Sequence, residues 1–383
     1  MKGRLVILTE IISPYRIPLF NALAQGDEID PYAIFLSETD PILRQWRVYK
    51  DDIRFPYCVL PAWRKRIGKY SALLNWGLTR GLRAASPNYI LCGGYNYVAS
   101  WQALRWARSH NVPFLLWSES VLQDRRHGHT AVEFLKRQFL DQCDGFVVPG
   151  TSAREYLVTQ GINEKAIFTA PNAVDNELFA HAAADARQSA SRCRSELGLP
   201  QRYFLFVGRL VREKGVFDLI AAYAKLNPEI RKNIGMVFAG DGAARRQLEA
   251  QALAIAPGVI RFAGFTHREQ LPAYYALADA LILPTHTDTW GLVVNEAMAC
   301  SLPVVVSRVA GCAADLVRDH WNGFLVSPGG VSELSEAMQY VAGRSSEVVA
   351  MAGHSSDLIA QYTAQTWCAG LSRALESVGA SYV

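Results

Sequence analysis

Several things are missing from this sequence, and each absence narrows it. No apolar run approaches the ~20 residues that a membrane-spanning helix needs. There is no C-x-x-C pair, and the seven cysteines (Cys58, Cys92, Cys143, Cys193, Cys300, Cys312, Cys368) are scattered and odd in number. That pattern speaks against a structural zinc site and for reduced thiols in a cytoplasmic protein. No Gly-x-Gly-x-x-Gly turn occurs, which removes the fingerprint of a nicotinamide oxidoreductase, and no Gly-Lys-Ser/Thr completes a Walker loop. The N-terminal run Leu5-Val6-Ile7-Leu8 turns polar at Thr9-Glu10, too soon for a secretory signal, and predicts a first strand.

What is present fits an ordinary globular chain. Its 383 residues, half apolar and 19% charged, suffice for two domains with a core each. The net charge of +4 is uneven. Between Arg44 and Arg83 stand Arg44, Arg47, Lys50, Arg54, Arg64, Lys65, Arg66, Lys69, Arg80 and Arg83, against Asp51 and Asp52 alone. Trp46, Phe55, Tyr57, Trp63, Tyr70 and Trp76 are interleaved with them. Two readings stay open: a peripheral contact with an anionic membrane surface through 44–83, where each cation contributes about 1 kcal/mol, or a solvated face whose aromatics enter the core. Nucleic acid is not an expected partner, since neither half is strongly basic and no binding motif appears.

Along the chain, short apolar runs alternate with helical stretches. Strands are expected at Leu5–Thr9, Tyr32–Leu36, Tyr57–Leu60, Tyr89–Cys92, Phe114–Trp117 and Gly145–Val148, with helices such as Ser71–Ala84 and Val98–His110 between them. The pattern lapses over Ala182–Ser195 and resumes at Tyr203–Val207, Met236–Ala239, Ile260–Phe262, Ala280–Leu283, Val304–Val306 and Phe324–Val326. Such alternation predicts α/β architecture: two Rossmann-like domains with parallel sheets, whose ligands sit at the carboxyl ends of strands. The expected division is 1–180, a linker at 181–202, 203–360, and a C-terminal helix in 361–383 returning to the first domain.

Two stretches carry chemistry. Val207-Gly208-Arg209-Leu210 leads to Lys214-Gly215, a strand entering a loop with two cations before a helix. Gly208 permits close backbone approach, and Arg209 with Lys214 can neutralise a diphosphate; solvated surface cations are the plainer reading. The second stretch runs from Thr285 to Cys300. There Asp288 lies in a loop, and Glu296 sits in a helix that begins near Gly291. The two carboxylates could accept hydrogen bonds from sugar and ribose hydroxyls, or Asp288 could cap the helix and Glu296 join a salt bridge.

Taken together, residues 203–330 resemble the retaining glycosyltransferases of the two-domain B-type fold, family 4. The matching pieces are Val207-Gly208-Arg209-Leu210 with Lys214-Gly215, Gly240-Asp241-Gly242, Ile260–Phe265, Trp290-Gly291-Leu292 with Glu296-Ala297-Met298-Ala299, and Leu302-Pro303-Val304-Val305. The resemblance implies that the second domain binds a nucleotide-diphosphate sugar, UDP- or GDP-linked, with no cofactor. Arg209 and Lys214 would contact the diphosphate, Glu296 the ribose, and the backbone of Gly264 and Phe265 would lie by the base. Asp288 and the Trp290–Leu292 backbone would face the sugar and phosphates. The family usually has Glu where Asp288 stands, so the carboxylate here is one methylene short.

The first domain matches less closely. Its expected Gly-Gly loop is replaced by Glu10–Phe20, where Tyr15 and Arg16 become acceptor-side candidates. Where many members carry a histidine, this chain has Trp117-Ser118-Glu119-Ser120, so Glu119 is the candidate there; a helix cap is the alternative. His127 and His129 are expected in a solvated loop. The mechanism implied by the resemblance is transfer to a hydroxyl acceptor with retention, in bacterial surface polysaccharide or glycolipid synthesis. No Asp-x-Asp triplet occurs, so no metal is expected. Competing readings are a nucleotide-sugar epimerase of the same architecture and a non-catalytic nucleotide-sugar-binding protein.

Overall fold

The computed structural model describes residues 3–40, 47–67, 70–124 and 130–380. Arg44, Trp46, Lys69, His127 and His129 lie outside the described residues. The chain divides into two compact units: 1–173 with 364–383, and 174–363.

The first unit contains β1 (Gly3–Thr9), β2 (Ile29–Phe35), β3 (Tyr57–Val59), β4 (Ala62–Ile67), β5 (Tyr70–Asn75), β6 (Tyr89–Cys92), β7 (Phe114–Trp117), β8 (Gly145–Val148) and β9 (Ile167–Thr169). Seven of these form a parallel sheet in the order β3-β2-β1-β6-β7-β8-β9, while β4 and β5 make a separate antiparallel pair. Strand alternation divides the apolar residues between two cores. Val6, Leu8, Ile90, Phe114 and Leu116 enter one. Leu5, Ile7, Leu91, Leu115 and Trp117 enter the other, together with Trp367, Leu371, Leu375 and Val378 of the helix Ala364–Gly379. Both faces being covered is why β1 and β6–β8 read as continuous apolar runs.

The second unit contains β10 (Tyr203–Val207), β11 (Gly235–Ala239), β12 (Ile260–Gly264), β13 (Ala280–Leu283), β14 (Val304–Ser307) and β15 (Gly323–Val326). They form one parallel sheet in the order β12-β11-β10-β13-β14-β15. This is doubly wound: the chain moves outward from β10 to β12, then returns to the other side of β10 with β13. The crevice of this sheet therefore opens at the carboxyl ends of β10 and β13. The α/β class expected from the alternation is the class observed.

Two local expectations need correction. Residues 71–84 are not one helix: β5 ends at Asn75, and the helix Leu78–Ala85 starts after Gly77, whose φ is +83°. Pairing with β4 outweighs the helical propensity of Ala72-Leu73-Leu74. The segment 181–202, expected as a linker, is largely helical. Asn176–Gln188 and Ala190–Leu197 are helices of the second unit, and that unit begins at Val174. Asp175 caps the first by accepting from Leu178 N–H at 3.0 Å, and its small buried face (Phe179, Ala183, Ala186) packs on the helices Leu271–Leu277 and Leu292–Ala299. Alanine, too small to register as an apolar stripe, does the packing.

Candidate active site

In the second unit the loops after four neighbouring strands interlock. After β10, Gly208 (φ +149°) leads through Arg209 into a short turn, Arg212–Lys214, closed by Gly215 (φ +67°). A Cβ on Gly215 would run into the Pro284 carbonyl, so only glycine lets this loop lie against the one after β13. The contact is fixed by hydrogen bonds: the Glu213 carbonyl accepts from His286 N–H (2.9 Å) and Thr285 Oγ1–H (3.1 Å). His286 Nε2 lies 2.6 Å from Asp218 Oδ2. Likewise a Cβ on Gly240 would strike the Gly208 carbonyl, and Gly240 N–H donates to the Gly264 carbonyl at 2.7 Å.

This stitching brings Lys214 Nζ to 2.5 Å from Asp288 Oδ2, with both side chains about one-sixth exposed (16% and 17%). The loop carrying Asp288 is pinned from the other side, since Gly311 N–H donates to the Asp288 carbonyl and Cys312 N–H to the Trp290 carbonyl, each at 3.0 Å. Trp290 is buried, its indole N–H bound to Asn295 Oδ1 at 2.8 Å. Gly291, at φ +99°, turns the chain into the helix Leu292–Ala299, where Val294 N–H donates to the Gly291 carbonyl at 2.9 Å and the Leu292 and Val293 N–H groups precede the helical ladder. A cation, a carboxylate and a helix start thus meet at the sheet's crevice, a setting suited to an anion bearing hydroxyl groups.

The other expected residues fall around this centre in different ways. Arg209 is exposed. Gly264, at φ +77°, ends β12, and Phe265 beyond it is 40% exposed, with His267 against its ring edge. Glu296 is fully buried, and its Oε2 accepts from the Tyr275 hydroxyl at 2.6 Å. Among the described residues no group of three or more His, Cys, Asp or Glu side chains is placed to hold a metal ion.

In the first unit the structure pairs two candidates that sequence left apart. Arg16 lies over the Trp117 ring at 3.9 Å, its Nη2 3.5 Å from Glu119 Oε1. Asn172 Nδ2 donates to the same Glu119 oxygen at 3.3 Å, and Arg16 Nη1 to Thr9 Oγ1 at 3.4 Å. These residues follow β1, β7 and β9, at carboxyl ends again. Tyr15 is half-buried in the turn before the helix Ile17–Gln25. Sequence reasoning missed a second group here: Arg64 Nη1 bridges Glu10 (3.0 Å) and the buried Asp40 (2.6 Å), while burial and the neighbouring Glu10 push the Tyr97 hydroxyl up. Members tens of positions apart left no local signal. The segment 44–83 accordingly splits, Phe55 and Arg64 turning inward and Trp63 and Trp76 outward.

The sequence profile described as "Glycosyl transferases group 1" matches residues 189–352, and "Glycosyltransferase Family 4" matches 24–178. The chain belongs to the family 4 glycosyltransferases. It is 37% identical over 130 residues to an uncharacterized glycosyltransferase, MJ1607, of Methanocaldococcus jannaschii (33% of this chain, 32% of the relative). It is 32% identical over 188 residues to a D-inositol 3-phosphate glycosyltransferase of Acidothermus cellulolyticus (46% of this chain, 40% of the relative). These matches span about a third to two fifths of the relatives' length. Among solved structures, Anabaena Alr3699/HepE in complex with UDP superposes with TM-score 0.76 at 18% identity, covering 98% of this chain and 100% of that one. The same protein with UDP-glucose gives 0.75 at 17%, with the same coverage. At that identity the likeness concerns the fold alone.

Proposed function

We propose that the chain transfers a sugar from a UDP- or GDP-sugar to a hydroxyl acceptor, a glycan or lipid-linked one, with retention and without a metal. The setting would be surface polysaccharide or glycolipid synthesis at the inner face of a bacterial cell membrane. The observation that carries this reading is the Lys214–Asp288 pair beside the start of Leu292–Ala299, at the crevice of a doubly wound sheet. Its support from relatives is that Alr3699/HepE, alike in fold, was solved with UDP and with UDP-glucose.

In this reading, Lys214, Arg209 and the helix N–H groups receive the diphosphate, and Asp288 accepts from a sugar hydroxyl. Glu296 takes the ribose hydroxyls, while the backbone at Gly264 and Phe265 borders the base. The anomeric C–O bond breaks with its electron pair passing to the diphosphate, where preorganised donors lower the barrier. The acceptor hydroxyl bonds to the same face of the sugar and gives its proton to the departing phosphate oxygen. Glu119 and Arg16, with Tyr15 nearby, orient the acceptor. Among the described residues no helix is long and apolar enough to cross a membrane.

A thermal-shift screen against UDP-, GDP-, ADP- and TDP-sugars tests the donor site, because a ligand at a hundred times its dissociation constant adds about 2.7 kcal/mol. One nucleotide class should stabilise the wild type and do so less in Lys214→Ala and Glu296→Ala. Absence of any shift in a folded sample would refute the donor reading. An inverted product by NMR would refute retention, and loss of turnover in EDTA would refute metal independence.

A further inference from the structure

One piece of the first unit stands outside its central sheet: β4 and β5 pair only with each other. Directly opposed residues share a face of such a hairpin. Arg64 and Leu73 are opposed and turn inward, Leu73 into the core and Arg64 onto Glu10 and Asp40. The next pair, Trp63 and Leu74, turns outward and is 46% and 42% exposed; Lys65 is exposed too. Trp76, just beyond β5, is 57% exposed, and Arg80 and Arg83 are exposed on the helix Leu78–Ala85.

Along the chain, the charge on and beside this hairpin has one sign. Residues 53–118 contain nine Lys and Arg and not one Asp or Glu. Among the described residues, Glu10 and Asp40 pair with Arg64 on the inner face. Half-exposed indoles beside cations are what the headgroup layer of a bilayer accommodates: indole rings settle where hydrocarbon meets water, and lysine and arginine meet the phosphates. We infer that the β4–β5 hairpin docks on an anionic phospholipid bilayer, inserting Trp63, Leu74 and Trp76 at headgroup level with Lys65, Arg80 and Arg83 on the phosphates. The inference deepens the lipid-linked-acceptor reading and rests on it for its purpose; the contact itself is argued from the hairpin.

The test is sedimentation of the full chain with vesicles of phosphatidylcholine alone, and of phosphatidylcholine with about a third phosphatidylglycerol. The wild type should pellet with the anionic vesicles and at least about tenfold less with the neutral ones. Trp63→Ser/Leu74→Ser/Trp76→Ser should lose about tenfold in partitioning, as should Lys65→Glu/Arg80→Glu. All five positions are exposed, so circular dichroism should be unchanged. The inference is overturned if the wild type stays in the supernatant or if the triple variant binds as well. It is equally overturned if single-stranded polynucleotide competes as tightly as lipid, or if the triple variant merely abolishes dimerisation seen by sedimentation velocity. A UDP-glucose thermal shift on the same variants keeps the two questions apart, because it reads the second unit and is indifferent to lipid.

Discussion

Lys214 and Asp288, 74 positions apart, meet at 2.5 Å because Gly215 lets the loop after β10 press against Pro284. A shortened carboxylate is not idle here; it holds the ammonium at the mouth of the crevice.

The pair yields a graded prediction. Lys214→Ala should lower kcat/KM by about 10²–10³, the cost typical of removing one group that stabilises a developing anion. Asp288→Asn keeps the shape but releases Lys214, and should lose less in nucleotide affinity than in kcat. Steady-state kinetics with competition by the free nucleoside diphosphate separates these effects. Equal losses in both variants and both parameters would contradict the assigned roles.

Gly215→Ala tests the stitching itself. The new methyl would collide with the Pro284 carbonyl and sit at φ +67°, so the loop must open. Strain at such a backbone position costs of order 1–3 kcal/mol. A drop of that size in denaturant-derived stability is expected, with nucleotide affinity falling alongside. A variant as stable as wild type would show that the loops are not held as described.

In the first unit, Glu119→Gln should reduce turnover while leaving nucleotide affinity within about twofold, since the charge-assisted bond to Arg16 weakens but no donor contact changes. Arg16→Lys keeps the charge and loses the planar stacking on Trp117, so it should not rescue function. Nucleotide titration beside acceptor-dependent kinetics checks both. A weakened nucleotide site in Glu119→Gln would move that residue to the donor side.

Three buried cysteines, Cys92, Cys300 and Cys312, and the half-buried Cys368 should be inert. Burial pushes the Cys92 thiol up to about 12 and Cys368 up to about 11, and it raises Cys300 and Cys312 as well. For Cys312 the nearby Asp288 and Asp315 charges act in the same direction. The thiolate is the reactive form, so these groups should resist a disulfide reagent at pH 8 until the chain is unfolded. Rapid labelling of Cys312 in the folded protein would overturn this.

Much of the fold could be read from sequence because parallel strands buried on both faces leave unmistakable apolar runs. Tyr203–Val207 and Ala280–Leu283 are strands with the expected bounds. The hairpin was missed because Ala72-Leu73-Leu74 are good helix formers in an unbroken apolar run, which hides the strand alternation that puts Leu73 in and leaves Leu74 out. The site was legible where spacing is local, as for Gly208 through Gly215. It was illegible where partners come from distant loops, as for Tyr275 on Glu296 or Arg64 between Glu10 and Asp40.

The helix Ala364–Gly379 belongs to the first unit although the whole second unit precedes it in the chain. During synthesis, residues 1–173 must therefore wait with one sheet face only partly covered, by Ile17–Gln25 and Phe55, until roughly two hundred further residues have emerged. The contiguous second unit can close first. Trp367, lying 5.3 Å from Trp117, then seals the platform on which Arg16 rests. A nascent chain halted before 364 would carry a finished second unit and a first unit without its last helix.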